Sequence, residues 1–293
     1  MAHSDTMHEA KKAGNETKRQ AKRAGYEAKP WVKRMARFGY AAKGTVYILI
    51  GVLAVMAAFG PGGKTTGSTG ALKTVASKPY GNVLLWIIGI GLVGYVIWRL
   101  IQAFKDPEHP GHDSKRIIAR ISYFVSAVIY GALAYKAISI AMQSAGSGSS
   151  GGSSSKQTLT AKLLSQPFGQ WIIGIIGAII IGYGIYQLYS GYKEKFAKRF
   201  KINQMSNKEI RLGKKAGKMG LMARGVVFSM IGYFFIQTAM TANSNNAKGL
   251  SAALSEIAQQ PFGKWLLALV AIGLVMYGIF QVLKGKNRHM SVV

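Results

Sequence analysis

One unit recurs three times along this chain: a helix-length apolar run, a polar loop, a Pro-aromatic-Gly turn and a second apolar run. The turns are Pro79-Tyr80-Gly81, Pro167-Phe168-Gly169 and Pro261-Phe262-Gly263. Each leads into a run with an aligned tyrosine, Tyr95, Tyr183 or Tyr277. About 18 or more apolar residues suffice to cross the ~30 Å hydrocarbon core of a bilayer as a helix. In lipid only a helix satisfies every backbone donor and acceptor within one segment. Six runs, near 39–59, 82–104, 117–142, 170–192, 222–240 and 264–283, therefore predict an all-α, polytopic membrane protein with six transmembrane helices. Two crossings per unit give the three hairpins one common orientation. They are parallel repeats, expected to close with pseudo-threefold symmetry about an axis along the membrane normal.

The chain carries 38 Lys and Arg against 10 Asp and Glu, a formal net charge of +28, yet 49% of it is hydrophobic. These facts coexist because charge and apolar sequence are segregated. Twenty-nine of the basic residues lie in the chain ends or beside the loops joining hairpins, and seven lie in loops within hairpins. The positive-inside rule then predicts a cell inner-membrane protein with both termini cytoplasmic. Basic patches bind nucleic-acid backbones, but charges that flank membrane helices meet anionic headgroups. Membrane lipids are the expected partners, nucleic acid is not, and a homo-oligomer or protein partner stays open. The first 30 residues lack the apolar core and cleavage site of a signal peptide, so the first membrane helix is expected to target the chain. Residues 11–33, rich in Ala, Lys and Glu, are expected to form a solvated, partly disordered tail rather than a basic surface helix.

Composition divides the chain into a basic cytoplasmic tail (1–34), repeat 1 (35–106), repeat 2 (114–196, with a Gly/Ser outer loop at 144–155), a basic linker (197–214), repeat 3 (215–285) and a short tail (286–293). Small residues two turns apart, Gly44 and Gly51, Ala127 and Ala134, Gly225 and Gly232, predict grooves for a neighbouring helix. The aromatics between them, Tyr47, Tyr130 and Phe228, read as packing residues. Proline suits a helix's first turn, and an aromatic ring prefers the headgroup level. Just upstream, 70–77, 159–165 and 250–257 read as short interfacial helices, with Thr69 and Ser251 as N-caps.

Together these elements resemble the bacterial membrane family called domain of unknown function 1206. Its repeat opens on Arg-x-Gly-Tyr-x-x-basic-Gly and ends in a second helix containing Pro-Phe-Gly. The first unit matches at Arg37, Gly39, Tyr40, Lys43 and Gly44, and the third keeps Arg224 and Gly225. The second departs, with Ser126 and Ala127 at the basic-Gly pair. The resemblance spans 36–285 and implies a fold and a compartment, with no activity to carry over.

The chain has no cysteine, and its five histidines all lie outside the apolar runs. No metal or cofactor is expected. No Asp or Glu lies within an apolar run, which weighs against proton-coupled transport and against a cation channel with a carboxylate ring. Paired carboxylates, a Ser/His/Asp set and a phosphate-binding loop are all absent, so an enzyme is not expected. What remains inside is basic and polar. Lys43 and Arg224 occupy equivalent places, as do Arg99, Gln187 and Gln281. Tyr95, Tyr183 and Tyr277 precede the latter three by four residues, on the same helix face. Facing inward, these eight residues form a donor-rich cluster suited to an anion or a lipid phosphate. Alternatively the long cationic stems snorkel to the interface and leave no site, as Lys136 is expected to do. Two functions follow. One is binding or permeation of a small solute or anion through a cytoplasm-facing vestibule. The other is a non-transporting membrane component that binds anionic lipid or a partner protein through its basic tails.

Overall fold

The apolar runs form long helices whose ends are set by charge and by turns. The computed structural model describes residues 2–60, 65–105, 114–143, 164–166, 168–194, 196, 205–243, 246 and 249–287, with side chains from residue 30 onward except 105, 114–116 and 118. The helices are α1 (Ala2–Phe59), α2 (Ser68–Ala76), α3 (Gly81–Lys105), α4 (Ser114–Gln143), α5 (Gly169–Tyr192), α6 (Asn207–Thr241), α7 (Leu250–Gln259) and α8 (Gly263–Asn287). Six of them, α1, α3, α4, α5, α6 and α8, contain stretches long and apolar enough to cross a bilayer. No strand occurs among the described residues. The protein is therefore an all-α, multi-pass membrane protein.

Two sequence expectations are corrected here, and one stretch gains a helix. The backbone of α1 runs unbroken from Ala2 through Pro30 to the first membrane span, where an irregular tail was expected. Ala, Lys and Glu are strong helix formers, and a long helix already nucleated in the membrane extends through them without a new nucleation cost. Thr69 and Ser251 are not N-caps, because Gly67 and Gly249 hold those positions. Ser251 instead donates its hydroxyl to the Thr65 carbonyl at 2.8 Å, and the Thr65 and Ser255 hydroxyls are bonded, which ties the loop of repeat 1 to α7 of repeat 3. The stretch expected to be a basic linker becomes helical from Asn207, where Ser206 and Glu209 form a capping box. The Ser-x-x-Glu spacing signals such a start. The Gly/Ser loop at 144–155, the segment 159–163 and Pro167 lie outside the described residues.

The Pro-aromatic-Gly turn also differs from expectation. Pro79 and Pro261 precede the helix, and the helix begins at the glycine. The aromatic before it adopts the left-handed region, with φ of 60° at Tyr80, 64° at Phe168 and 59° at Phe262. Each turn is closed by the glycine N–H donating three residues back, to Lys78, Gln166 or Gln260, at 2.7–2.9 Å. A proline followed by a positive φ is the signature of a type II turn, whose third position usually takes glycine. Here glycine is required one residue later: a Cβ on Gly81 or Gly263 would collide with the carbonyl of Val75 or Ala258. All three aromatic rings are exposed, as suits a headgroup anchor.

Helix neighbours follow a cyclic order. Within repeats 1 and 3, α1 packs on α3 and α6 on α8. Between repeats, α3 packs on α4, α5 on α6, and α8 returns to α1. The small-residue grooves serve these inter-repeat contacts. Gly44 of α1 faces the Gly278 backbone of α8, while Gly225 and Gly232 of α6 face Gly184 and Gly177 of α5. Among the described residues, only the hairpin of repeat 2 is not closed: α4 and α5 lack the close packing that joins every other pair in the order. The three units are therefore not equivalent.

The repeat alignment supplies the physical reason. In repeat 1 a Cβ on Gly39 would lie 2.6 Å from the Tyr95 Cα, and in repeat 3 one on Gly220 would lie 2.5 Å from the Tyr277 Cα. Glycine lets the two backbones touch. The equivalent of Gly39 and Gly220 in repeat 2 is Ser122. Four residues before each tyrosine, Gly91 abuts Ala42 and Gly273 abuts Ala223. Their counterparts are Ile179 and Val125, which are 65% and 48% exposed. Two added side chains and one enlarged one replace a contact made between glycine and alanine.

Candidate functional site

Three cations meet at the centre of the bundle through tyrosine. Lys43, on α1 and 2% exposed, donates from Nζ to the Tyr95 hydroxyl at 3.0 Å. Arg99, one turn along α3, donates from Nε to the same oxygen at 2.7 Å and from a terminal nitrogen to Gln102 at 3.0 Å. Arg224, on α6 and 9% exposed, donates to the Tyr277 hydroxyl at 2.6 Å. One phenol oxygen thus accepts from two cations, and its counterpart in repeat 3 accepts from the third.

Aromatic rings connect the two halves. The Tyr95 ring meets Tyr130 edge to face with centroids 4.9 Å apart, and Tyr47 meets Tyr277 at 4.7 Å. The Tyr47 and Tyr130 hydroxyls lie 3.3 Å apart. Lys43 Nζ sits 4.4 Å from the Tyr130 ring centre, 4.8 Å from Tyr95 and 5.8 Å from Tyr277. The Arg224 guanidinium is 4.8 Å from Tyr277, 4.7 Å from Phe228 and 5.9 Å from Tyr183. Ring faces attract cations most strongly where water is excluded. Among the described residues, the hydrogen-bond partners of these three cations are hydroxyls and one carboxamide, and none carries a negative charge.

Of the eight expected residues, Lys43, Arg99, Arg224, Tyr95 and Tyr277 belong to this network. Lys43 does not snorkel, since its ammonium is held by a tyrosine of the neighbouring helix. Gln187 and Gln281 are buried, but both polar atoms of Gln187 and the Gln281 Oε1 lack a hydrogen-bond partner. Tyr183 departs most. It is 42% exposed, where Tyr95 and Tyr277 are at 0% and 1%, because its hairpin is the unclosed one. The even ring of three tyrosines expected from the sequence is thus two buried tyrosines and one at the edge.

Tyr47 and Tyr130, read from sequence as packing aromatics, are central to the network. The signal that finds them is spacing: each lies four residues after Lys43 or its counterpart Ser126, on the same face.

The model for the family described as Domain of Unknown Function (DUF1206) matches residues 38–106, 121–194 and 219–288. The chain belongs to the DUF1206 family. Its three matched segments each hold one hairpin, so the family repeat and the structural repeat coincide. This DUF1206 chain is similar to "Uncharacterized protein YxxB" of Bacillus subtilis (strain 168), 44% identical over 261 residues, covering 89% of this chain and 93% of that one. No solved structure matches it.

Proposed function

We propose that this DUF1206 chain is a bacterial inner-membrane protein, with both termini cytoplasmic, that binds a small anion or anionic headgroup at the tyrosine-held cations. It carries out no covalent chemistry. The observation behind this reading is the charge balance of the bundle centre. Arginine stays protonated in proteins, so Arg99 and Arg224 keep their charge. A buried cation without a counter-charge is costly. All ten acidic residues lie outside the apolar runs, and hydroxyls and ring faces offset only part of the cost. An anion drawn to the three cations lowers it. Binding is favoured over permeation because tyrosine rings in edge-to-face contact occupy the space between the cations. The orientation is supported by the 29 basic residues gathered on the side of the chain ends.

The test is thermal unfolding of the detergent-purified protein in phosphate and in a chloride-free zwitterionic buffer. A ligand at 100 times its Kd stabilises the folded state by about 2.7 kcal/mol. Phosphate is expected to raise the melting temperature of the unsubstituted chain and not that of Lys43→Met/Arg224→Met. An equal rise in the double variant, or no rise with any anion, would refute the reading.

A further inference from the structure

We propose that the unclosed face between α4 and α5 is a lateral lipid site, in which an anionic phospholipid lays its acyl chains along the two helices and directs its headgroup to Arg224. The inference rests on the anion reading above and names where the ligand enters and of what class it is. Three observations carry it. The face is specific to one repeat, since the surfaces that hairpins 1 and 3 bury stand open here: Val125, Ile179 and Tyr183 are exposed, and a Cβ on Gly182 would meet nothing within 4 Å, whereas one on its counterpart Gly94 would be 2.9 Å from the Met35 carbonyl. The face is lined mostly by apolar side chains, Val125 and Ile179 among them, and ends beside a cation. The Arg224 guanidinium lies 5.9 Å from the ring of the half-open Tyr183.

The third observation is unmet hydrogen bonding at that end. Arg224 Nε and both amide atoms of Gln187 are buried with no partner, although each is a strong hydrogen-bonding group. Gln187 lies one turn beyond Tyr183 on the same face of α5. Arginine presents a fork matched to phosphate oxygens. An apolar trough that ends in an unneutralised guanidinium complements a molecule with hydrocarbon at one end and a phosphodiester anion at the other. A zwitterionic lipid offers the chains without the net charge, and a soluble anion offers the charge without the chains.

The chain contains no cysteine, so Gly182→Cys takes a single bimane label at the open face. Leu269→Cys on α8, an exposed apolar position, serves as a control on ordinary lipid-facing surface. The labelled proteins are reconstituted in phosphatidylcholine vesicles containing brominated phosphatidylglycerol or brominated phosphatidylcholine. At position 182 the anionic lipid is expected to quench at about tenfold lower mole fraction, the factor set by one charge-assisted contact. At 269 the two lipids should quench alike. Arg224→Gln should erase the preference, and Arg224→Lys should retain part of it. Inorganic phosphate should compete it away while Arg224 is intact, a measurement that needs only the labelled Gly182→Cys protein to fold. Equal quenching at 182, or a preference that survives Arg224→Gln, overturns the lateral site. So does cross-linking of the Gly182→Cys thiols between two copies, which makes the face a dimer contact. Phosphate stabilisation without any lipid preference leaves the anion reading standing and removes the lateral site alone.

Discussion

The first and third hairpins are closed by a tyrosine backbone resting on a glycine, while the second, with the same tyrosine, stands open. In lipid there is little hydrophobic gain from pressing two apolar helices together, so close van der Waals packing decides whether they associate. Gly39 against Tyr95 and Gly220 against Tyr277 allow that approach. Ser122, Val125 and Ile179 replace a flat meeting surface with side chains, and the second pair loses it. Each helix of that pair keeps its other neighbour, α4 on α3 and α5 on α6, so the bundle holds together while one seam stays unsealed. Within one family repeat, the difference between a closed wall and an open one is a few side chains.

The sharpest way to break this comparison is to remove the equivalent tyrosines. Tyr277→Ala deletes a buried ring and the acceptor of Arg224, and is expected to cost roughly 3–5 kcal/mol. Tyr183→Ala should cost less than about 1 kcal/mol. Unfolding in mixed micelles titrated with denaturing detergent measures both, and similar losses at the two sites would mean that the second hairpin closes in the membrane. A smaller effect separates the glycine contacts. Gly39→Ala and Gly220→Ala each force a methyl against the tyrosine backbone and should cost about 1–3 kcal/mol, whereas Ser122→Ala should stay within about 0.5 kcal/mol. Smallest, and opposite in sign, is Gly182→Ala. With open space around it, the substitution should raise stability by about 0.5–1 kcal/mol through helix propensity. Gly94→Ala, aimed at the Met35 carbonyl, should lower it, and the melting temperatures of the two variants report the sign directly.

Much of this was legible residue by residue. The apolar runs marked six spans, and the aligned glycines of α1 and α6 marked the faces that meet α8 and α5. The pairing of Lys43 with Arg224 and the four-residue step from Tyr95 to Arg99 marked most of the cation network. Tyr47 and Tyr130 read only as packing residues because an aromatic between two small residues packs in most helices, and nothing local tells a ring that packs from a ring that faces a cation. The left-handed aromatic of each turn was hidden for a related reason: proline at the start of a helix and proline one turn position earlier have the same sequence. The repeat alignment already contained Ser122, Val125 and Ile179 opposite glycine and alanine, yet their meaning depends on which helix faces which.

By itself the sequence determined the solvent, the count of crossings and the threefold repetition, because hydrocarbon thickness and backbone hydrogen bonding leave an apolar run of that length no other structure. Tertiary structure alone decided that Tyr95 holds both Lys43 and Arg99, that the tyrosines of repeats 1 and 3 are sealed in, and that Tyr183 is left at an open seam. Those outcomes depend on the distance between two backbones, and that distance is set jointly by side chains more than fifty residues apart in the chain.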